Sequence, residues 1–159
     1  MSAILLKRIV SGGQTGVDRA ALDAASTLRV ERGGWCPKGR LAEDGPLAAH
    51  YELSETPTAD YAQRTEWNVR DSDATLILSP RPLEGGTLLT QKIAARLKKP
   101  CLAVDPRERG SLEKTVAWLL TRNPATLNAA GPRASRWADG YALAFGFLCF
   151  LLKEARKKQ

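Results

Sequence analysis

A strand, a glycine turn and a helix start follow one another near the beginning of the chain, and no other feature constrains the fold as strongly. Ile4, Leu5, Leu6, Ile9 and Val10 are aliphatic, as a buried strand requires. Ser11-Gly12-Gly13-Gln14-Thr15-Gly16 comes next, and then Val17, Ala20, Ala21, Ala24, Ala25 and Leu28 recur at the spacing of one helix face. The first amides of a helix have no partner inside it, and the macrodipole adds about half a positive charge there, so such a turn attracts anions. Glycines at 12, 13 and 16 remove the Cβ atoms that would hold a phosphate away from those amides. Residues 11–16 are therefore a candidate phosphate cradle, with a plain packing turn as the alternative. Ser11, Gly13 and Gly16 match the dinucleotide fingerprint with Ser at its first place, but no clear ribose-binding acid follows. Gly34 and Gly39 have P-loop spacing, yet Arg40 and Leu41 stand where Lys and Ser or Thr belong.

The same alternation continues along the chain. A short strand leads into a loop around Pro37 and Gly39, and residues 41–59 read as a long irregular connection. A helix capped by Asp60 runs to about Arg70, and residues 74–78 form a well-marked buried strand. Glu84-Gly85-Gly86-Thr87 is a loop before the next helix, whose stripe is Leu89, Ile93, Ala94 and Leu97. Residues 101–104 give a strand, Leu112, Val116, Leu119 and Leu120 a helix, and residues 126–130 a weaker final strand. Gly131-Pro132 is expected to start a long C-terminal helix, with Pro near its first turn. Strands alternating with helices predict a three-layer, Rossmann-like α/β fold, a parallel sheet with helices on both faces, in one domain over 1–159.

At 159 residues and 43% hydrophobic, the chain can bury a core without a disulfide or metal staple. Cys36, Cys101 and Cys149 form no C-x-x-C pair, which favours a reducing cytoplasm and argues against a zinc site. No export signal is seen, and the apolar run at 141–152 is shorter than the roughly 20 residues of a membrane span. The net charge of +7 suits nucleic acid or anionic ligands, but Lys153, Arg156, Lys157 and Lys158 crowd a solvated helix end. No basic patch interleaved with aromatics supports nucleic-acid binding.

Ligands of such sheets bind outside the carboxyl ends of the strands, so the turns after successive strands can converge. Asp18 and Arg19, in the first helical turn, can face the ligand there. Lys38 and Arg40 offer positive charge beside Gly39, and Arg holds phosphate through paired hydrogen bonds. Arg64 and Asn68 share a helix face, while Glu66 and Arg70 fit an i, i+4 ion pair. Gly85-Gly86-Thr87 is a second anion cradle, and two cradles suggest a ligand that is large or anionic at both ends. Cys36 lacks a neighbouring base, His50 is alone, and no catalytic triad or metal-ligand spacing is present.

Four segments in order resemble the molybdenum cofactor carrier family. They are the turn at 11–16 with Asp18-Arg19-Ala20-Ala21-Leu22-Asp23, then Gly34-Trp35-Cys36-Pro37-Lys38-Gly39-Arg40 with Ala42-Glu43-Asp44-Gly45, residues 64–73, and Gly85-Gly86-Thr87. The resemblance implies a Rossmann-like fold similar to the lysine-decarboxylase-like phosphoribohydrolases and the DNA-processing proteins. It further implies a homo-oligomer, with a tetramer expected, that binds and protects the molybdenum cofactor (molybdopterin) for recipient molybdoenzymes without transforming it. The ligand-binding positions it suggests are Ser11, Gly12, Gly13, Gln14, Thr15, Gly16, Asp18 and Arg19, with Lys38, Gly39, Arg40, Arg64, Asn68, Gly85, Gly86 and Thr87. The alternative is a nucleotide phosphoribohydrolase acting on a nucleoside monophosphate. Those enzymes resemble P-G-G-x-G-T followed by acids two and three places on, where this chain has Leu89 and Thr90.

Overall fold

A computed structural model describes residues 3–159. β1 (Arg8–Val10) passes through the glycine turn into α1 (Val17–Thr27) and β2 (Glu31–Gly33). Four two-residue strands follow: β3 (Trp35–Cys36), β4 (Leu41–Ala42), β5 (Gly45–Pro46) and β6 (Ser54–Glu55). Then come α2 (Tyr61–Arg70), β7 (Ala74–Leu78), α3 (Gly85–Arg96), β8 (Cys101–Val104), α4 (Ser111–Arg122), β9 (Thr126–Ala130) and α5 (Gly140–Lys157).

The main sheet is parallel throughout, in the order β2-β1-β9-β7-β8. The last strand in sequence is thus the central one. Counted from β9 as the first strand, the order becomes the 3-2-1-4-5 of a doubly wound sheet. The ends of the described chain support that reading, because Ile4 N–H donates to the Lys158 carbonyl at 2.9 Å. A direct link from α5 into β1 would restore the usual connectivity, which is the geometry of a circular permutation.

The two faces of the sheet differ in chemistry. Ile9, Leu76, Leu78, Leu127 and Ala129 point to one side and share a large core with α1, α4 and α5. Period-two alternation sends Thr75 and Asn128 to the other side, beneath α2 and α3. There the apolar cluster is small, built on Val69, Ile93 and Ala94. A polar layer on that side leaves room for a cavity.

Three expectations need correction. Residues 41–59 are organised rather than irregular: β4 pairs with β5 and β3 with β6, over a cluster of Leu22, Cys36, Leu47, Tyr51 and Leu53. The final helix begins at Gly140, not at Gly131-Pro132. The segment before it is tied elsewhere, since the Pro132 carbonyl accepts from Val17 N–H and Ala134 N–H donates to Thr15 Oγ1. Its backbone is bound to the glycine turn and closes only isolated turns of its own, from Arg133 to Arg136 and Trp137 and from Trp137 to Gly140. Glu66 pairs with Arg96 and Arg70 with Asp71, so the expected Glu66–Arg70 bridge does not form.

Candidate ligand-binding site

A cavity of about 450 Å³ opens at the carboxyl edge, where the strand order reverses between β9 and β7. Its wall takes Gly12, Gln14 and Asp18 from the glycine turn and α1, and Tyr61, Arg64, Thr65 and Asn68 from α2. Arg81, Glu84, Gly86, Thr87, Leu89 and Thr90 come from the β7–α3 connection and α3; Asn128, Arg133, Arg136 and Trp137 come from β9 and the segment after it.

The glycine turn serves mainly to build this wall. Gly13 N–H donates to Ser11 Oγ at 3.3 Å, Gln14 N–H to Asp18 Oδ2 at 3.4 Å, and Thr15 N–H to Gln14 Oε1 at 3.0 Å. Three amides of the first expected cradle are therefore already paired within the chain. Gly12 has a steric role: a Cβ there would come within 2.4 Å of Arg64 Cδ, so only glycine lets that side chain lie across the turn. Arg64 Nη1 donates to the Gly12 carbonyl at 2.7 Å and stands 3.9 Å from Asp18 Oδ2. Both side chains are buried. Burial pushes the Asp18 carboxyl up to about 6, against the opposing pull of Arg64 and of the Gln14 and Gly131 amides.

Several predicted residues act on structure outside the cavity. Arg40 donates to the carbonyls of Leu47, Ala48, Tyr51 and Leu53, which fastens the 41–59 segment. Lys38 and Gly39 lie beside it, away from the cavity lining. Arg19 grips Asp44 at 2.6 Å and the Gly13 carbonyl at 3.2 Å. Thr15 and Ser135 both bond Glu43, joining the turn, the β4–β5 hairpin and the segment before α5; these bonds hold the Glu43 carboxyl below its usual range. Asn68 accepts from Trp35 N–H at 2.8 Å and donates to its carbonyl at 2.9 Å, as a strand neighbour would.

The second cradle is more open. Gly86 and Thr87 line the cavity in the first turn of the twelve-residue α3, and a Cβ on Gly86 would meet nothing within 4 Å. Thr87 N–H donates to the Glu84 carbonyl, while among the described residues the amides of Gly85 and Gly86 have no partner. The Arg136 guanidinium lies 3.7 Å from where a Gly85 Cβ would sit. Arg81 pairs with Glu108 at 3.3 Å and Arg133 with Glu43 at 3.6 Å, but Arg136 has no ion-pair partner among the described residues. An uncommitted guanidinium beside two uncommitted helix amides can hold an oxyanion.

Arg81, Arg133, Arg136, Tyr61, Trp137 and Asn128 were not singled out from the sequence. Arg133 and Arg136 belong to no motif, and Asn128 lies in a segment that the sequence marks only as a weaker strand. Its polar side chain in a strand position was the available signal.

A parallel doubly wound sheet with a charged cavity at its switch point defines a Rossmann-like α/β protein with its cavity where such sheets bind their ligands. The chain belongs to the circularly permutated YpsA SLOG family, whose model matches residues 9–152. The strand order, with the last strand of the chain central in the sheet, agrees with that description. The protein is also similar to one whose crystal structure at 1.45 Å is that of a Putative molybdenum carrier protein from Syntrophus aciditrophicus SB. The TM-score is 0.88 at 46% identity, over 93% of this chain and 96% of that one. No match is found among curated proteins. Among the described residues no helix is long and apolar enough to cross a membrane.

Proposed function

We propose that this protein binds and carries the molybdenum cofactor, a phosphorylated pterin with a dithiolene and an oxo-molybdenum group, without transforming it. The observation that carries the reading is Arg136, without an ion-pair partner among the described residues, beside the amides of Gly85 and Gly86, likewise without partners among them, at a cavity of about 450 Å³. An anionic group is held there by charge and by directed N–H donors together. Similarity to the molybdenum carrier protein supports the choice of cargo. On this reading the protein works in the cytoplasm as a homo-oligomer, a tetramer by family resemblance, and passes the cofactor to molybdoenzymes.

Cofactor released from a molybdoenzyme under anoxic conditions, mixed with the protein and then exposed to air, is expected to keep its power to reactivate a cofactor-free apoenzyme for longer. Unchanged decay, with no molybdenum eluting with the protein, would overturn the proposal. Glu84, on the cavity wall at the start of α3, favours a second reading as a nucleotide phosphoribohydrolase. Leu89 and Thr90 face the same cavity where the hydrolase pattern has carboxylates, which supports carriage over hydrolysis. Incubation with nucleoside monophosphates is expected to release no free base.

A further inference from the structure

Asn is disfavoured in strands, and a parallel strand buried on both faces is usually aliphatic. Asn128 nevertheless occupies the middle of β9, the central strand, paired with Val10 on one side and Thr75 on the other. It is 3% exposed and lines the cavity. Its Nδ2 donates to Thr75 Oγ1 at 3.2 Å. Among the described residues its Oδ1 has no donor, and the Thr87 hydroxyl, 6% exposed on the same cavity, has no partner either. Both oxygens open on the cavity rather than being sealed in the core, so a ligand that displaces the water meeting them must replace its hydrogen bonds, and a strand that turns such a group to a cavity points to a ligand that does so.

Charge is distributed unevenly over this cavity. Arg81 and Arg136 are exposed at its mouth, whereas the deep Arg64 is already engaged by Asp18 and the Gly12 carbonyl. Asn128 and Thr87 are neutral hydrogen-bonding groups on the cavity wall, with Thr75 behind Asn128. A ligand anionic at one end and neutral at the other matches that gradient; a bare oxyanion leaves Asn128 unsatisfied.

Resting on the carrier reading above, we propose that Asn128, held by Thr75, accepts a hydrogen bond from the exocyclic 2-amine on the flat heterocycle of the cargo, which enters ring first with its anionic groups at Arg136. The edge recognised is the 2-amino-4-oxopyrimidine edge of a pterin. Guanine shares that edge, so the test carries both.

The experiment measures binding of 6-hydroxymethylpterin and of the lumazine that differs from it by an oxygen in place of the 2-amino group. Guanosine and inosine monophosphate, which differ by the same amine, run in parallel. A site built to accept a hydrogen bond rejects the analogue lacking the donor, so the wild-type protein is expected to prefer the pterin by about tenfold or more. Asn128→Leu is expected to bring the pair within about twofold while leaving retention of inorganic phosphate unchanged. Thr75→Val keeps the shape of its side chain and releases the carboxamide, and it is expected to erode the same preference if Asn128→Leu does not fold. Equal binding of pterin and lumazine by the wild type, or a preference untouched in the folded variants, overturns the inference even if the intact cofactor is retained. Selection of guanosine monophosphate without pterin binding overturns the pterin assignment. Pterin discrimination without cofactor retention refutes the carrier role and leaves recognition of the edge standing.

Discussion

The buried Asp18 carboxyl gives a stability signature of defined sign. Its value is raised from 3.8 to about 6, chiefly by burial, with Arg64 3.9 Å away supplying only part of the compensation. Between those values the folded state binds more protons than the unfolded state, so this group adds stability as pH falls through about 6 and withdraws it as pH rises. The full difference, at about 1.4 kcal/mol per unit, is about 3 kcal/mol, reached only below the unfolded value. Between about pH 7.5 and about pH 4.5 roughly 2 kcal/mol of it develops. Asp18→Asn removes the titration and keeps the shape. Urea unfolding of both proteins across that range, with the wild-type value referred to the variant at each pH, cancels the other carboxylates, including Glu43, Asp44, Asp71 and Asp105, which are held low. The wild type is expected to gain about 2 kcal/mol on the variant as pH falls. A flat difference, or one of opposite sign, would mean that Arg64 outweighs burial at the Asp18 carboxyl.

Three further substitutions separate the architecture from the site. Arg136→Gln is expected to weaken cofactor retention about tenfold or more, the worth of a charged hydrogen bond, with little change in melting temperature. Arg40→Ala loses four carbonyl contacts of the 41–59 segment and is expected to destabilise by about 2 kcal/mol or more, while folded protein keeps its cofactor retention. An Arg40 variant of full stability with lost retention would move the site toward Lys38. Gly16→Ala places a Cβ 2.5 Å from the Pro132 carbonyl at a φ of 80°, and a loss of about 2 kcal/mol or more is expected in chemical denaturation.

What could be read from the sequence followed the strength of local periodicity. The α1 stripe, the Asp60 cap of α2 and the aliphatic run of β7 carry their own signals, and they fall where they were expected. β9 was read as weak and last, yet it is central, because its position depends on pairing with β1 and β7 and not on its own residues. The segment before α5 looked helical after Pro132 because its bonds to Thr15 and Glu43 span most of the chain. The glycine turns were legible as glycine turns. Whether the amides of the first turn were free was decided by Ser11 Oγ, Asp18 and Gln14, and the charge beside the second turn comes from Arg136, over fifty residues away.

The most direct measurement is the position of molybdenum in crystals of the protein grown anoxically with released cofactor, located by anomalous scattering at the molybdenum edge. The account predicts one site per chain at the cavity mouth, beside Arg136 and the start of α3, with the ring density running toward Asn128. Molybdenum bound elsewhere on the chain, beside Lys38 and Arg40 for example, or a cavity filled without it, would contradict the account.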